Sequence, residues 1–300
     1  MLRLNFPGGQ ISAAQLRQVA KQAADQGCDF ADLTTCQGLQ LYGIPPEDSS
    51  EASSRSAEAP GEASFCRSRS AEGCPLAGAV SAEVFDAGVR QQEQPDLFTI
   101  GVPILVGRIE TDQMRKVADL AERYADGTLR LTPRQNLLFL NVPKDRVAQI
   151  LEGLETVGLS ARASVVARAL VLCPGGESAE PGKPDLTRLA QELVEYLERR
   201  VPMDQPFTIH MSGLDGGCER HEVAEIGLQG KEIFDVWVGG RLAAQQIPAG
   251  QIRFRIEQLL MGYKRGREPG ESLKSFFARA GGETVRQLLA DPTADAAAQG

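Results

Sequence analysis

The feature that most constrains this chain is a repeat. GGQISAAQLRQVAKQAADQG returns as VGRIETDQMRKVADLAERYA, and DFADLTTCQGLQLYGI returns as GTLRLTPRQNLLFLNV. A constant offset of 98 residues carries Gly9 onto Gly107 and Ile44 onto Val142 without a gap. Identities on that offset include Gln15/Gln113, Arg17/Arg115, Val19/Val117, Ala20/Ala118, Thr34/Thr132, Gln37/Gln135 and Leu39/Leu137. A gapless match through helix-like and strand-like stretches alike marks a duplicated unit, so the fold has to be built around two copies of one element order.

Each copy reads strand, helix, strand, strand. LRLNF and FTIGVPILV are β-branched or apolar runs closed by glycine. The helix of copy one starts at the N-cap residue Ser12 and puts Leu16, Val19, Ala20 and Ala23 on one face. Its counterpart aligns Met114, Val117, Ala118 and Ala121, with Gly127 at its end. ADLTT and LQLYGI in copy one, LRLTP and LLFLNV in copy two, are the extended segments that follow. A unit of this kind leaves a sheet edge and one face uncovered, so the copies are expected to pair with each other. Residues 45–72 between them are dominated by Ser, Ala, Glu and Pro, a composition that builds no core and predicts a flexible linker.

Beyond copy two, Val147, Ile150, Leu151, Leu154 and Val157 predict an amphipathic helix. ARASVVARALVLCPGG is expected to be an extended run ending in a loop at Cys173. A helix carrying Leu186, Leu189, Ala190, Leu193 and Leu197 follows, then a strand in PFTIHMSG and another in EIFDVWVGG. Ile252, Ile256, Leu259, Leu260 and Tyr263 predict a helix, with SLKSFFARAGG after it and a frayed tail. Strands and helices interleave, which gives an α/β or α+β class.

A net charge of -8 is the wrong sign for general nucleic-acid binding. No apolar run reaches transmembrane length, and MLRLNFPGG is too short and too soon broken for a secretory signal, so a cytoplasmic address is expected. The six cysteines, Cys28, Cys36, Cys66, Cys74, Cys173 and Cys218, are scattered and include no Cys-x-x-Cys pair. That pattern is neither a disulfide scaffold nor a structural zinc site.

Two groups could carry chemistry. Cys173 precedes PGG and Cys218 follows SGLDGG, each at a strand end. Glycines there let backbone approach a ligand and offer N–H groups to sulfur or to an anion. The second group is basic: Arg3, Arg108, Arg130, Arg134, Arg162 and Arg168. Guanidinium forks suit carboxylates and small oxyanions, and Arg162 and Arg168 would share one side of a regular strand. His210 and His221 lack metal-ligand spacing and are expected to be structural.

TTCQGLQLYGI, LTPRQNLLFLNV, LVLCPGG and SGLDGGCERHEVAEIGLQG, in this order, resemble the nitrite and sulfite reductase family. The resemblance covers nearly everything except the linker and tail. It implies an α+β fold with two ferredoxin-like half-domain repeats, residues 1–44 and 98–160, pairing around a pseudo-twofold axis. It further implies a C-terminal α/β siroheme and cluster-type domain over 161–290, with 45–97 as linker and lead-in and 291–300 as tail.

The implied activity is six-electron reduction of sulfite or nitrite at siroheme coupled to a 4Fe–4S cluster. Ferredoxin or a flavoprotein would donate the electrons, and neither nucleic acid nor membrane would be a partner. By the same resemblance Arg3 and Arg134 serve the anion, and Arg134, Gln135, Asn136, Arg108 and Arg168 hold the cofactor. Cys173 and Cys218 ligate metal, Cys218 as the bridge between cluster and siroheme iron. Four departures stand out. Cys36 replaces the arginine of the first threonine-arginine-glutamine run, and Ala179 and Leu214 occupy positions where the family has cluster thiolates. The family's intervening domain, with two substrate-site lysines, has the serine-rich linker in its place. These departures make a non-catalytic relative, keeping the fold and binding a tetrapyrrole or a protein partner, the alternative.

Overall fold

The computed structural model describes residues 2–42, 87–174, 185–213 and 224–290. The chain forms two compact units, Met1–Ala163 and Ser164–Gly300, and the fold is α+β.

The first unit contains both copies. Copy one runs β1 (Leu2–Asn5), β2 (Gln10–Ser12), α1 (Ala13–Asp25), β3 (Phe30–Leu33) and β4 (Gly38–Leu41). Copy two, led by β5 (Gly88–Gln91), runs β6 (Leu97–Val102), β7 (Arg108–Glu110), α2 (Thr111–Tyr124), β8 (Thr128–Leu131) and β9 (Leu137–Pro143). α3 (Val147–Glu155) closes the unit. β5 lies in the stretch read from sequence as lead-in and adds an outer strand beside β6.

The sheets are not one per copy. One sheet has the order β1-β4-β3-β7 and the other β2-β8-β9-β6-β5, so each copy lends its second strand to the other. The exchange is reciprocal to the residue: Gln10 pairs with Arg130 and Arg108 pairs with Asp32, positions related by the offset of 98. Smaller bonds obey the same rule. Ala13 N donates to Gly127 O and Thr111 N donates to Asp29 O, both at 2.8 Å. Gln37 Nε2 donates to Leu131 O at 3.0 Å and Gln135 Nε2 donates to Leu33 O at 2.7 Å. Local repetition of sequence thus becomes a pseudo-twofold arrangement of hydrogen bonds.

The turn entering each lent strand takes left-handed backbone, at Gly8 and Gly9 in copy one and at Val106 and Gly107 in copy two. A Cβ at Gly9 would stand 2.4 Å from Leu131 O, so glycine is required where the strand crosses over. Ser12 and Gln15, then Glu110 and Gln113, form matching capping boxes that start the helices. Leu16, Val19, Ala20 and Ala23 pack in one core with Met114, Val117, Ala118 and Ala121, as the helical periodicity predicts. Burial on this scale is worth about 1.5–3 kcal/mol for each large aliphatic side chain.

The second unit holds the sheet β10-β11-β12-β13-β14. β10 (Leu170–Cys173), β11 (Ile209–Ser212) and β12 (Ile226–Gly230) are parallel, and β13 (Ile233–Val238) and β14 (Arg241–Pro248) continue antiparallel. α4 (Val165–Ala169), α5 (Leu186–Arg200), α6 (Ala249–Gly266) and α7 (Leu273–Leu289) complete it. The expected extended run before Cys173 is corrected here. Ser164 accepts a hydrogen bond from Ala167 N and caps a short helix, so only Leu170–Cys173 is strand. Among the described residues no helix is long and apolar enough to cross a membrane.

Candidate functional site

In the first sheet Leu2, Leu4, Leu33, Leu39, Leu41 and Ile109 face the core, which turns the alternate residues of the same strands to the opposite face. On that face Arg3 pairs with Gln40, Gln40 with Asp32, and Asp32 with Arg108. One polar row therefore crosses all four strands. Arg3 Nη2 donates to Gln40 Oε1 at 3.2 Å, and Gln40 Nε2 donates to the Tyr42 hydroxyl at 2.8 Å. Tyr42 in turn donates to Asp32 Oδ2 at 2.7 Å. From the far side Arg108 closes a two-pronged pair on Asp32, Nε at 2.8 Å and Nη2 at 3.0 Å, while stacking 3.8 Å above the Phe30 ring.

Asp32, Gln40 and Tyr42 are each only 5% exposed, so the row works in a low-dielectric setting. Burial, then the Asp32 charge and the hydrogen bond to it, push the Tyr42 hydroxyl far above its ordinary pKa, and it remains a neutral donor. At the open end of the row, Arg3 Nε is buried with no hydrogen-bond partner among the described residues. Asn5 Oδ1, two residues along the same face, is in the same condition. An oriented guanidinium with donor capacity to spare is what an anion site needs.

The loop joining β8 to β9 presents the next group. Thr132 N donates to Asn136 O, Gln135 N to Thr132 O, and Asn136 N to Thr132 Oγ1 at 3.1 Å, a tight turn with Arg134 inside it. Copy one repeats the turn through Thr34, Gln37 and Gly38, with Cys36 in the place of Arg134. Arg134 is 6% exposed, whereas Cys36 is exposed. Gln135 is tied to Leu33, and Asn136 Oδ1 accepts from Ile104 N at 2.8 Å, so both side chains fix the loop that carries Arg134.

In the second unit the strands that lead to both cysteine loops are neighbours. Cys173 is the last residue of β10 and lies in register with Ser212, the last of β11. Gly213 N donates to Cys173 O at 3.0 Å. A Cβ on Gly213 would meet Pro174 O at 2.8 Å and Leu186 Cδ2 at 2.9 Å, so the two chains touch as they leave the sheet. The Cys173 thiol lies 3.4 Å from Nε2 of buried His210. Carboxyl ends of adjacent parallel strands are the usual place for ligands in such sheets. Arg168 sits in α4, and Arg162 lies outside any strand, so the shared strand face expected for the pair does not exist. Cys218, Ala179, Leu214 and His221 lie outside the described residues.

The sequence singles out Arg3, Arg108, Arg134, Gln135, Asn136, Arg168 and Cys173 as candidates, and Asp32, Gln40 and Tyr42, which the structure joins to Arg3 and Arg108, are not among them. One signal was available. Copy two carries Leu138 and Leu140 where copy one carries Gln40 and Tyr42, a polar substitution inside an otherwise apolar strand pattern.

Comparison with known proteins adds four findings. The family model described as the nitrite/sulfite reductase ferredoxin-like half domain matches residues 1–59 and 90–157. The chain is 30% identical over 237 residues to sulfite reductase (ferredoxin) 1 of Mycolicibacterium paratuberculosis, a match covering 71% of this chain and 42% of that protein. It is 32% identical over 169 residues to the chloroplastic ferredoxin–nitrite reductase of Zea mays, covering 52% of this chain and 30% of the relative. These matches thus span well under half of each curated relative. The solved structure of the Mycobacterium tuberculosis NirA protein superimposes with a TM-score of 0.78 at 18% identity, covering 95% of this chain and 84% of that one.

Proposed function

This chain belongs to the nitrite and sulfite reductase family, and on that premise we propose that it is a siroheme-dependent protein that reduces sulfite or nitrite. Its electrons come from a ferredoxin or a flavoprotein. The observation that carries the reading is Arg3, with one amine held by Gln40 and its buried Nε without a partner among the described residues. Arg3 and Arg134 serve the oxyanion. Gln135 and Asn136 act by holding Arg134 in its turn, and Arg108 acts through Asp32.

Siroheme carries several carboxylates, so its holder has to supply cations and N–H donors, and the orphaned Nε of Arg3 fits that demand. Arg134 is the further guanidinium group of the same unit that would hold it, and Arg168, in the second unit, is kept as a separate cofactor-binding proposal. When bound, siroheme supplies an iron that takes the oxyanion and passes it electrons. The residues of this chain bind and orient the anion and neutralise its charge.

The 4Fe–4S cluster does not fit the residues of this chain alone. Such a cluster takes about four protein ligands. Cys173 and Cys218 stand at two of the family's positions, and Ala179 and Leu214 stand at the other two. Among the described residues no group of three or more His, Cys, Asp or Glu side chains is placed to hold a metal ion. The same two positions, with Cys36, favour a second reading, a non-catalytic relative that keeps the fold and binds a tetrapyrrole or a protein partner. On either reading we propose a cytoplasmic protein with neither nucleic acid nor membrane as partner; the net charge of -8 bears on the first of these partners alone, being the wrong sign for general nucleic-acid binding.

Anaerobic purification from a siroheme-producing host separates the readings. The first expects a Soret band that moves when sulfite or nitrite is added, together with bound iron. Acid-labile sulfide with about four further irons would reveal a cluster completed by another ligand. A colourless, monodisperse protein overturns the first reading in favour of a fold-only relative.

A further inference from the structure

The duplicated fold contains its own control for the polar row. At the offset of 98, Arg3, Gln40, Asp32 and Arg108 correspond to Gly101, Leu138, Arg130 and Gln10. Those four residues also stand in register across the equivalent strands, Gly101 opposite Leu138, Leu138 opposite Arg130, and Arg130 opposite Gln10. Copy two builds the same sheet with a leucine at the centre and no carboxylate. The fold therefore does not need a buried amide, phenol and carboxylate in this row. Buried polar groups cost stability relative to an apolar replacement of similar size, so the row in copy one serves something other than folding.

Its direction says what. Ionised Asp32 can only accept, and it takes the Tyr42 hydroxyl proton. Tyr42 must then accept from its other neighbour, which turns the amide nitrogen of Gln40 toward the phenol. The amide oxygen is left facing Arg3, where it takes a proton from Nη2. A carboxylate two side chains away thus settles which way an otherwise ambiguous amide points. Were the amide reversed, its NH2 would face the guanidinium and repel it. Arg108, chelated to Asp32 and stacked on Phe30, holds the carboxylate in place.

We infer that Gln40, oriented by Tyr42 and Asp32, is the positioning residue that aims the Arg3 guanidinium at a small oxyanion. The inference rests on the reading of Arg3 as an anion-binding residue. Tyr42 and Asp32 touch no anion themselves, and their contribution passes through Gln40. Neither proton nor electron travels along the row, because an amide relays protons poorly and every bond in it already has its donor.

Calorimetric titration of the 300-residue chain with sodium sulfite and with sodium nitrite tests this, read beside the thermal midpoint of each variant. Arg3→Gln removes the cation and should abolish measurable binding. Gln40→Leu installs the residue of copy two; it should keep the thermal midpoint within a few degrees and weaken binding about ten-fold, the usual effect of losing a hydrogen bond to a charged group. Tyr42→Phe keeps the Gln40–Arg3 bond but frees the amide to turn, and should fall between wild type and Gln40→Leu. That graded order at constant midpoint is what a merely structural row would not produce. If neither anion binds the wild type, or Arg3→Gln binds as tightly, the reading of Arg3 is wrong and the inference goes with it. If Arg3→Gln loses binding while Tyr42→Phe and a folded Gln40→Leu bind within two-fold of wild type, the positioning role alone is overturned.

Discussion

Single residues carry the symmetry of this protein, and they carry it unevenly. Gln37 and Gln135 both sit in left-handed backbone, at φ 59° and φ 61°, and each reaches across to a carbonyl of the other copy. Gln135 is 3% exposed and its bond is shorter, so Gln135→Ala strips a deeply buried carbonyl of this donor. The expected cost is about 1–3 kcal/mol for Gln135→Ala and the lower end of that range for Gln37→Ala. Urea unfolding midpoints measure the pair, and equal losses would mean that burial does not set the difference. The Thr-x-x-Gln run was legible in the sequence because it occurs twice at one spacing. Asp32, Gln40 and Tyr42 were not, because they become neighbours only through the register of four strands, one of them lent by the other copy. Arg108 was legible as a cation, yet its partner was not, since the pair spans 76 residues of sequence.

At the level of elements, periodicity located α1, α2, α3, α5 and α6 but gave no helix for α7, whose 17 residues are broken at Gly281 with φ 80°, nor for the shortest pieces. α1, α2, α5 and α6 follow the apolar spacing, which needs several turns to show. The exchanged strands β2 and β7 have three residues each, too few for an alternation to register. α4 escaped because five residues rich in valine resemble strand, and the Ser164 cap decides the matter. The joint between α6 and α7 shows local chemistry setting a pH response. Glu271 accepts Arg279 Nε at 2.8 Å and Nη2 at 2.6 Å, and also the Glu268 N–H at 2.9 Å. The hydrogen bonds from Arg279, then the backbone N–H, hold its carboxyl at about 2 against an ordinary value of 4.5. A carboxyl depressed on folding stabilises the native state above its unfolded pKa, and that help is lost as pH falls toward the folded pKa. Glu271→Gln should therefore melt below the parent at pH 7, with the gap closing as pH falls from 4.5 to about 2. Circular dichroism melts across that window check it, and a gap that stays constant would show that the Arg279 contact adds nothing to stability.

On the scale of the whole first unit, reciprocal exchange makes the two copies inseparable in a way that tandem domains are not. β2 completes the sheet of copy two, β7 completes the sheet of copy one, and α1 and α2 share one core. Across the helix pair, Arg17 bonds to Asp119 at 2.8 Å and to Glu122 at 2.5 Å, exposed contacts that add little beside the apolar packing. The row ending at Arg3 belongs to both copies, because Asp32 is held by Arg108 from β7. Folding of either copy alone would expose an unpaired strand edge and half of a core, so the stretch between the copies has to connect them in sequence but need not hold them together. A protease site placed within residues 45–72 and cut after folding tests this directly. The two pieces should co-elute on native size exclusion, melt in one transition and separate only in denaturant, and the cut protein should bind sulfite or nitrite as the intact chain does. Separation of the pieces under native conditions would mean that the connection, rather than the exchanged strands and shared core, keeps the copies together. It would also detach Arg108 from the row that orients Arg3, so anion binding would have to fall in the same experiment.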